Sequence, residues 1–390
     1  DKDAFKRELD QKVLLYTNVQ KEYPASDYHT VKVNLGDWNE QDFTYNGTIV
    51  TGFTETGKLK SEDNSNLVIP DKNPDGDWIT EIGSAEITDT DGLFGGEGVV
   101  FETLKLPSKL EKIGTGAFRG IGLQKVTFPE TLEEIGMMAF QTNELREIIL
   151  PDSVTTLGQA AFATNPKVER LVLSKNLKTI PSTAFGNTTG DCAPYTELII
   201  PEGVTKIENN AFNGNSLTRI EIPETVTEIG SAAFMNTDEN PTLKEIILHE
   251  GLEKIGSNAF AYASVKTIDL PSTVNAKRAL NANAFRYNTE GNVIVWVNTQ
   301  EQIDILNNGL KNPTFELRNK DIFTYEVTEK GATVTGLAEG AVVGDVLIIP
   351  RTTPGGKVIT EIADAAVGGL FVQNTRSTYK EVVLPSDLKR

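Results

Sequence analysis

An Ala-Phe pair recurs at nearly constant spacing along the middle of the chain, and this repeat constrains the fold more than any other feature. The phenylalanines are Phe118, Phe140, Phe162, Phe185, Phe212, Phe234, Phe260 and Phe285, and Phe94 is expected to be a further member. The steps between them are 22, 22, 23, 27, 22, 26 and 25 residues. Such a period is typical of solenoids, whose turns must share a core because one turn cannot bury its apolar face alone. A hydrophobic fraction of 38% fits a thin continuous core.

Each repeat follows the approximate pattern L-x-x-I-x-L-P-x-x-V-x-x-I-G-x-x-A-F-x-x-N. The I-x-L residues predict a short strand with both side chains in the core. The proline ends the ladder because it has no N–H, and the glycine is expected to permit the next bend. We expect the phenylalanine to fill the corner of the turn and the asparagine amide to bond backbone groups of adjacent loops. These asparagines are Asn143, Asn165, Asn215 and Asn288.

Two β-rich segments match each other at a distance of 280 residues. The matched pairs are Phe43-Thr44-Tyr45 with Phe323-Thr324-Tyr325, Leu67–Pro70 with Leu347–Pro350, and Ile79–Ile82 with Ile359–Ile362. We therefore predict two tandem modules, 41–298 and 321–390, each with a hairpin-rich opening segment that leads into repeats. The second module stops midway through a repeat, so we expect the natural protein to continue past Arg390.

Two amphipathic segments predict helices outside the repeats. The first has an apolar stripe at helical spacing that consists of Phe5, Leu9, Val13 and Tyr16. We therefore assign residues 1–40 to an N-terminal helix and cap. The alternative is that this helix binds a partner. The second begins with the capping-box pair Thr299 and Gln302, so residues 299–320 are assigned to a capping helix and linker.

The repeats at 104–297, together with the F-T-Y, I-P and I-T-E-I motifs of the opening segments, resemble the BspA-like leucine-rich repeat family of bacterial surface proteins. The resemblance implies a mainly β fold with short helices and turns, arranged as a right-handed leucine-rich-repeat solenoid with repeats of about 22–25 residues. It also implies a non-enzymatic binding or adhesion protein, extracellular or displayed on a bacterial cell surface. The partner would be a protein or matrix component, and the alternative is a glycan-binding surface module.

Several other functions are disfavoured by the composition. The net charge of −18 argues against nucleic acid and anionic membranes, since both require a basic face. No apolar run reaches the roughly 18 residues of a membrane span. A single cysteine, Cys192, two histidines and no catalytic motif predict no enzyme and no cofactor. A polysaccharide-cleaving solenoid would need several acids on one face, where only Glu221 and Asp269 are found. We expect a monomer.

One segment, Asp71–Asp77, resembles the first half of a calcium loop, in which oxygens at alternate positions converge on the ion. Position 12 of such a loop would be Ile82 rather than an acid. The second copy, Arg351–Lys357, has no acidic residues. We therefore interpret the segment as a structural turn and predict no metal site.

The predicted strands carry two further rows of side chains. The first alternates in sign and should fix the register of neighbouring strands: Lys125, Glu147, Arg170, Glu197, Arg219 and Glu245. The second lies between the core residues and includes the binding candidates Ile149, Val172, Ile199, Ile247 and Trp296. It predicts either an aliphatic ladder or an apolar strip for a protein partner, with Trp296 as its one large aromatic residue. Tyr195, in an enlarged loop, is a further candidate. An ideal pleat is expected to place the two rows on opposite faces.

Overall fold

The computed structural model describes residues 36–86, 92–95, 99–187, 192–236, 241–277, 279–290, 293–307, 315–338, 346–363, 381–385 and 388. The chain separates into two units, Asp1–Trp38 and Asn39–Arg390, and the second carries all the elements below. The helix expected within residues 2–22 lies outside the described residues.

The first opening segment is a hairpin followed by a short helix. Its elements are β1 (Phe43–Asn46), β2 (Ile49–Phe53), α1 (Glu55–Asp63), β3 (Asn66–Val68) and β4 (Glu81–Ile82). Helix α1 was not predicted from the sequence. Thr54 caps it by accepting a hydrogen bond from the Gly57 N–H at 3.3 Å, and the buried ion pair of Lys60 with Asp42, 2.6 Å long, ties it to the hairpin.

The repeats contribute one three-residue strand and one two-residue strand to most turns. In chain order the strands are β5 (Thr103–Lys105), β6 (Lys112–Ile113), β7 (Lys125–Thr127), β8 (Glu134–Ile135), β9 (Glu147–Ile149), β10 (Thr156–Leu157), β11 (Arg170–Val172), β12 (Thr179–Ile180), β13 (Lys206–Ile207), β14 (Arg219–Glu221), β15 (Glu228–Ile229), β16 (Glu245–Ile247), β17 (Lys254–Ile255) and β18 (Thr267–Asp269). Equivalent strands of neighbouring turns pair in parallel, for example β9 with β11 and β15 with β17. The three-residue strands form the long-strand face of the solenoid and the two-residue strands form the short-strand face.

A column of phenylalanine rings runs through the core. From Phe94 to Phe285 the rings stack turn upon turn with centroids 5.2 to 5.7 Å apart, and the membership of Phe94 is confirmed. The predicted asparagine bonds are also present. The Asn165 amide donates to the carbonyls of Phe140 and Phe162 at 2.9 Å and accepts from the Leu145 N–H at 3.3 Å. Asn143 and Asn288 likewise bond the preceding turn. Asn215 differs, because it donates to the Phe212 carbonyl at 2.7 Å and accepts from the Leu217 N–H at 2.9 Å within its own turn.

The explanation given above for the repeat glycines is wrong. These residues are Gly114, Gly136, Gly158, Gly230 and Gly256, and none of them has a positive φ. A Cβ at Gly158 would instead lie 2.3 Å from the backbone nitrogen of Met137, so glycine is needed because adjacent turns come close together. The left-handed backbone lies two residues later, at non-glycine positions such as Ala160, with φ of 56°, and Ala232, with φ of 53°.

A wider strand and a helix follow the last repeat. They are β19 (Val293–Val297) and α2 (Gln300–Asn307), and β20 (Phe315–Asn319) pairs in parallel with β19. The capping-box prediction is confirmed on one side only. The Thr299 hydroxyl accepts from the Gln302 N–H at 3.1 Å, whereas the Gln302 side chain accepts from the Asn298 N–H at 2.9 Å rather than from Thr299.

The second opening segment repeats the geometry of the first. Its strands are β21 (Phe323–Thr328), β22 (Gly331–Leu337), β23 (Val346–Ile348), β24 (Ile359–Ile362) and β25 (Glu381–Val383). Both hairpins have an irregularity at the same Thr-Tyr step, and in both the tyrosine hydroxyl donates to a carbonyl five residues earlier, at 3.0 Å for Tyr45 and 2.9 Å for Tyr325. The internal similarity seen in sequence is thus a similarity of structure. The module boundaries themselves stay a prediction.

Strand β19 belongs to two cores at once. All five of its residues are buried. Alternation along a strand places Val293, Val295 and Val297 on the solenoid side. Ile294 and Trp296, on the other side, join the hydrophobic cluster of the second opening segment with Phe323.

Candidate binding surface

The two rows of the long-strand face point the same way. In β11 the side chains of Arg170 and Val172 are exposed and Leu171 between them is buried. The rows are two residues apart, which is one full strand period, so the expectation of opposite faces is wrong. Two of the predicted pairs of opposite charges are present: Arg170 lies 3.9 Å from Glu147, and Arg219 lies 3.1 Å from Glu245.

An apolar strip on this face consists of Ile149, Val172 and Ile199. Val172 lies directly beside Ile149 in the register of β11 and β9. Their exposed fractions are 39% for Ile149, 37% for Val172 and 83% for Ile199. Ile199 lies in a turn to which no strand is assigned, between Leu198 and Ile200, which are both buried. The strip therefore combines two partly exposed side chains, Ile149 and Val172, with the largely exposed side chain of Ile199.

Three of the predicted contact residues are not on the surface. Trp296 is fully buried because the second opening segment covers β19, and its ring lies 5.8 Å from that of Phe323. Ile247 is 1% exposed and lines the same cleft as Ile349 of the second opening segment. Tyr195 is 2% exposed, and burial raises the pKa of its hydroxyl. The expectation that these side chains are exposed is wrong. The row that is outward at Ile149 is covered at Ile247 and Trp296, and Tyr195, which lies outside that row, is buried beside core residues such as Phe185.

A charged network continues the long-strand face beyond the strip. Glu221 accepts a hydrogen bond from Arg219 at 2.8 Å, and His249 Nε2 lies 2.9 Å from its other carboxylate oxygen. The hydrogen bond to His249, followed by that from Arg219, lowers the pKa of the Glu221 carboxyl. A groove of about 570 Å³ lies here between Ile199 and Glu224.

The cleft next along the face has a volume of about 560 Å³. One wall is the outer side of β16 and β18, and the other is the stretch from Ile349 to Thr352 with Leu384. No sequence pattern predicted this cleft, because its two walls are at least 80 residues apart along the chain.

Two tyrosines that are distant in sequence come together at the corner loops of the last repeats. The rings of Tyr262 and Tyr287 stack with centroids 4.8 Å apart, and the Arg286 guanidinium carbon lies 4.3 Å from the Tyr287 ring centre. Tyr287 is 50% exposed. Both tyrosines have a left-handed backbone, with φ of 60°. The signal that could have predicted this pair is their shared position two residues after the repeat phenylalanine.

The segment Asp71–Asp77 is held by a side-chain amide. Asn73 accepts hydrogen bonds from the N–H groups of Asp75 and Asp77 at 3.1 and 2.9 Å, and donates to the Gly47 carbonyl at 3.0 Å. Thr353 plays a similar part in the second copy, where it accepts from the Lys357 N–H at 3.2 Å. The interpretation as a structural turn agrees with these bonds.

Neither metal-binding nor membrane-spanning groups were found in the part of the chain that the structure describes. Within it, no group of three or more His, Cys, Asp or Glu side chains could hold a metal ion. No helix among the described residues combines the length and apolar character that crossing a membrane would require. The half-buried thiol of Cys192 donates to Asn236 at 3.4 Å.

Comparison with known families places the repeats. The model of the BspA type leucine-rich repeat region matches in six copies, over residues 94–191 and 190–292. The chain belongs to the BspA-type leucine-rich repeat family. The predicted family and the mainly β solenoid fold are thereby confirmed.

Solved structures of several bacterial proteins are similar. The pneumococcal vaccine antigen PcpA is 17% identical, with a TM-score of 0.36, over 70% of this chain and 95% of that chain. A leucine-rich repeat protein from Bacteroides ovatus is 18% identical, with a TM-score of 0.34, over 74% and 92%. A leucine rich cell surface protein from Faecalibacterium prausnitzii is 17% identical, with a TM-score of 0.34, over 75% and 96%. No curated protein matches the sequence of this chain.

Proposed function

We propose that this chain is a non-enzymatic binding protein, displayed outside a bacterial cell, that recognises a protein or extracellular-matrix partner as a monomer. The observation that carries the proposal is the exposed apolar strip of Ile149, Val172 and Ile199 on a face whose other exposed residues include charged and polar side chains. Membership of a family of bacterial surface proteins supports the location.

The chemistry of the strip fits a protein partner. Aliphatic side chains on an exposed sheet lose water favourably when covered, by about 25 cal/mol per Å² of apolar surface. The adjacent charges of Glu147 and Arg170 are already paired with each other and would form a polar rim. The same row is covered further along the chain at Ile247 and Trp296, so this face can pack against a second protein surface.

The test is binding to a panel of purified extracellular-matrix proteins by biolayer interferometry. Val172→Asp and Ile199→Asp should weaken binding at least about tenfold, since each buries a charge in an apolar contact. Thr127→Asp, an exposed outward position on β7, is the matched control and should change nothing. Equal binding by wild type and both strip variants would exclude the strip.

A glycan-binding module is the second candidate, and the Tyr262–Tyr287 stack favours it. Exposed aromatic rings can pack against the apolar faces of sugar rings, and Arg286 beside them can donate hydrogen bonds. On a glycan array, Tyr287→Ala should abolish any signal that depends on this pair, while Val172→Asp should leave it unchanged. An array without any reproducible signal from the wild-type protein would reject this candidate.

A further inference from the structure

A lysine side chain is buried where the solenoid meets the second opening segment. Lys320 follows β20 directly, and its side chain is 2% exposed. Burial lowers the pKa of its amino group, and the Asp269 carboxylate only partly opposes this shift. Because an ammonium group is costly to bury, the groups that surround this one determine what it does.

Three polar side chains surround the Lys320 amino group. It donates to the Thr352 hydroxyl at 2.7 Å and to the side-chain carbonyl oxygen of Asn298 at 3.1 Å. Asp269 Oδ2 lies 3.6 Å from the amino group and accepts a hydrogen bond from the Thr352 hydroxyl at 2.9 Å. The Thr352 hydroxyl therefore bridges the amino group and the carboxylate.

The strand register brings the lysine and the asparagine together. Strands β19 and β20 pair in parallel with Val297 beside Asn319, so the next residues in this register are Asn298 and Lys320. Asn298 is 4% exposed, and its N–H donates to the Gln302 side chain at 2.9 Å. Backbone pairing thus holds the amine and the carboxamide side by side, and such positioning removes much of the barrier to a reaction between two groups.

An amine, a carboxamide and a carboxylate in contact are the groups that an amide exchange requires. The amine is the nucleophile in its neutral form, and a carboxylate can carry its protons. Lys320 can pass a proton through the Thr352 hydroxyl to Asp269, which leaves a neutral amine next to Asn298. The site adjoins the hydrophobic cluster of Trp296, and exclusion of water favours the neutral amine and hinders hydrolysis.

We propose that Lys320 and Asn298 join in an isopeptide bond within the chain, with Asp269 as the proton carrier. The bond between Lys320 Nζ and Asn298 Cγ forms, and the bond between Asn298 Cγ and Nδ2 breaks. Asp269 takes a proton from Nζ and gives one to Nδ2, which leaves as an ammonium ion. An ammonium group and a primary amide thus give a secondary amide and ammonium, so atoms and charge balance without an oxidant.

The bond would tie the end of β19 to the end of β20. A pulling force along the chain would then bypass residues 299–319, which include α2. None of the reacting residues belongs to the apolar strip, so this modification stands or falls independently of the function proposed above.

Mass spectrometry of the whole chain tests the bond. The denatured wild-type protein should be lighter than its sequence by the mass of one ammonia molecule. After trypsin digestion, residues 287–311 and 319–330 should be recovered as one joined species, because trypsin does not cleave after an acylated lysine. Fragmentation should place the link between Asn298 and Lys320. Asn-Gly steps such as Asn46-Gly47 can also lose ammonia by ring closure, but that product leaves the peptides unjoined.

Three variants then assign the roles. Lys320→Arg keeps a cation but removes the primary amine, so it should give no joined species. Asp269→Asn should lower the joined fraction at least about tenfold after the same incubation, because the proton carrier is lost. Lys60→Arg changes the other buried lysine described above, which pairs with Asp42 at 2.6 Å, and as the matched control it should leave the joined fraction unchanged.

A folded wild-type protein that keeps its full sequence mass after a day of incubation would overturn the proposal. Ammonia loss located only at Asn-Gly steps, or a joined species that persists in Lys320→Arg, would overturn it as well. Circular dichroism checks that each variant folds, and the wild-type measurement stands by itself if one does not.

Discussion

Replacing Asn165 by alanine should destabilise the solenoid far more than the loss of a surface side chain would. The Asn165 side chain is 3% exposed and makes four hydrogen bonds to the backbone of its own turn and the preceding one. Truncation removes the partner of the Phe162 carbonyl and of the Leu145 N–H, whereas the Phe140 carbonyl keeps its bond from the Asn143 amide at 3.1 Å. Each buried backbone group left unpaired costs about 1–3 kcal/mol. The longest of the four contacts is the one to the Ala163 carbonyl, at 3.4 Å.

The sum is reduced if a water molecule enters the space left by the amide, since that space is polar. We therefore expect Asn165→Ala to lower the free energy of unfolding by about 2–4 kcal/mol. Asn165→Asp should be at least as harmful at neutral pH, because a carboxylate would face two carbonyls. It should recover partly in acid, where protonation of the carboxyl restores a donor.

Urea titration followed by circular dichroism measures the loss, and native-state hydrogen exchange at the Leu145 N–H locates it. Asn176→Ala is the matched control, because its exposed amide makes one side-chain bond, to the Asp152 carbonyl at 2.7 Å, and its loss should cost less than about 1 kcal/mol. If Asn165→Ala costs no more than Asn176→Ala, or if exchange at Leu145 is unchanged, the amide does not hold the turns together.

Three further perturbations test other parts of the fold. Gly230→Ala should lower the free energy of unfolding by at least about 2 kcal/mol, because the added Cβ would lie 2.6 Å from a neighbouring backbone atom. Ala232→Gly should raise it by about 1 kcal/mol, because glycine adopts the left-handed backbone of this position without strain. Thermal melts of both variants measure the two effects. The hydrogen bond from Lys254 lowers the pKa of Glu228. The stabilisation from this pair, about 0.5 kcal/mol, is therefore present at neutral pH and lost as the pH falls below the ordinary pKa of glutamate. Glu228→Gln should remove this pH dependence of the free energy of unfolding in urea titrations. Trp296→Ala should cost about 3–5 kcal/mol and lower the melting temperature, and a cost under about 1 kcal/mol would show that Trp296 is not a core residue.

The repeat architecture could be predicted from the sequence because its causes are local and recur. Each turn carries the same core leucines, corner phenylalanine and asparagine, so one turn explains all of them. The role of the glycines could not be predicted in the same way. The approach of Gly158 to Met137 is a contact between turns, and a sequence pattern does not distinguish a residue needed for its φ from one needed for its missing Cβ.

The exposure of the candidate contact residues was predicted correctly only where the array remains regular. Ile149, Val172 and Ile199 are exposed because nothing in the described chain covers those turns. Trp296 occupies the same slot but is buried, since the chain folds back over β19 and uses its outer side as a second core. That change depends on the path of the chain after β20, and no property of residue 296 itself reveals it. The cleft was missed for the same reason.

The alternation of charge along the long-strand face limits how such a chain can grow or shrink in evolution. Adjacent rungs carry opposite signs, as the pairs of Arg170 with Glu147 and Arg219 with Glu245 show. Loss of the single turn that carries Arg170 would bring Glu147 next to Glu197, and like charges on adjacent strands oppose pairing. Loss of two consecutive turns would restore the alternation. Unequal recombination within this gene should therefore be tolerated better in steps of two repeats than in steps of one.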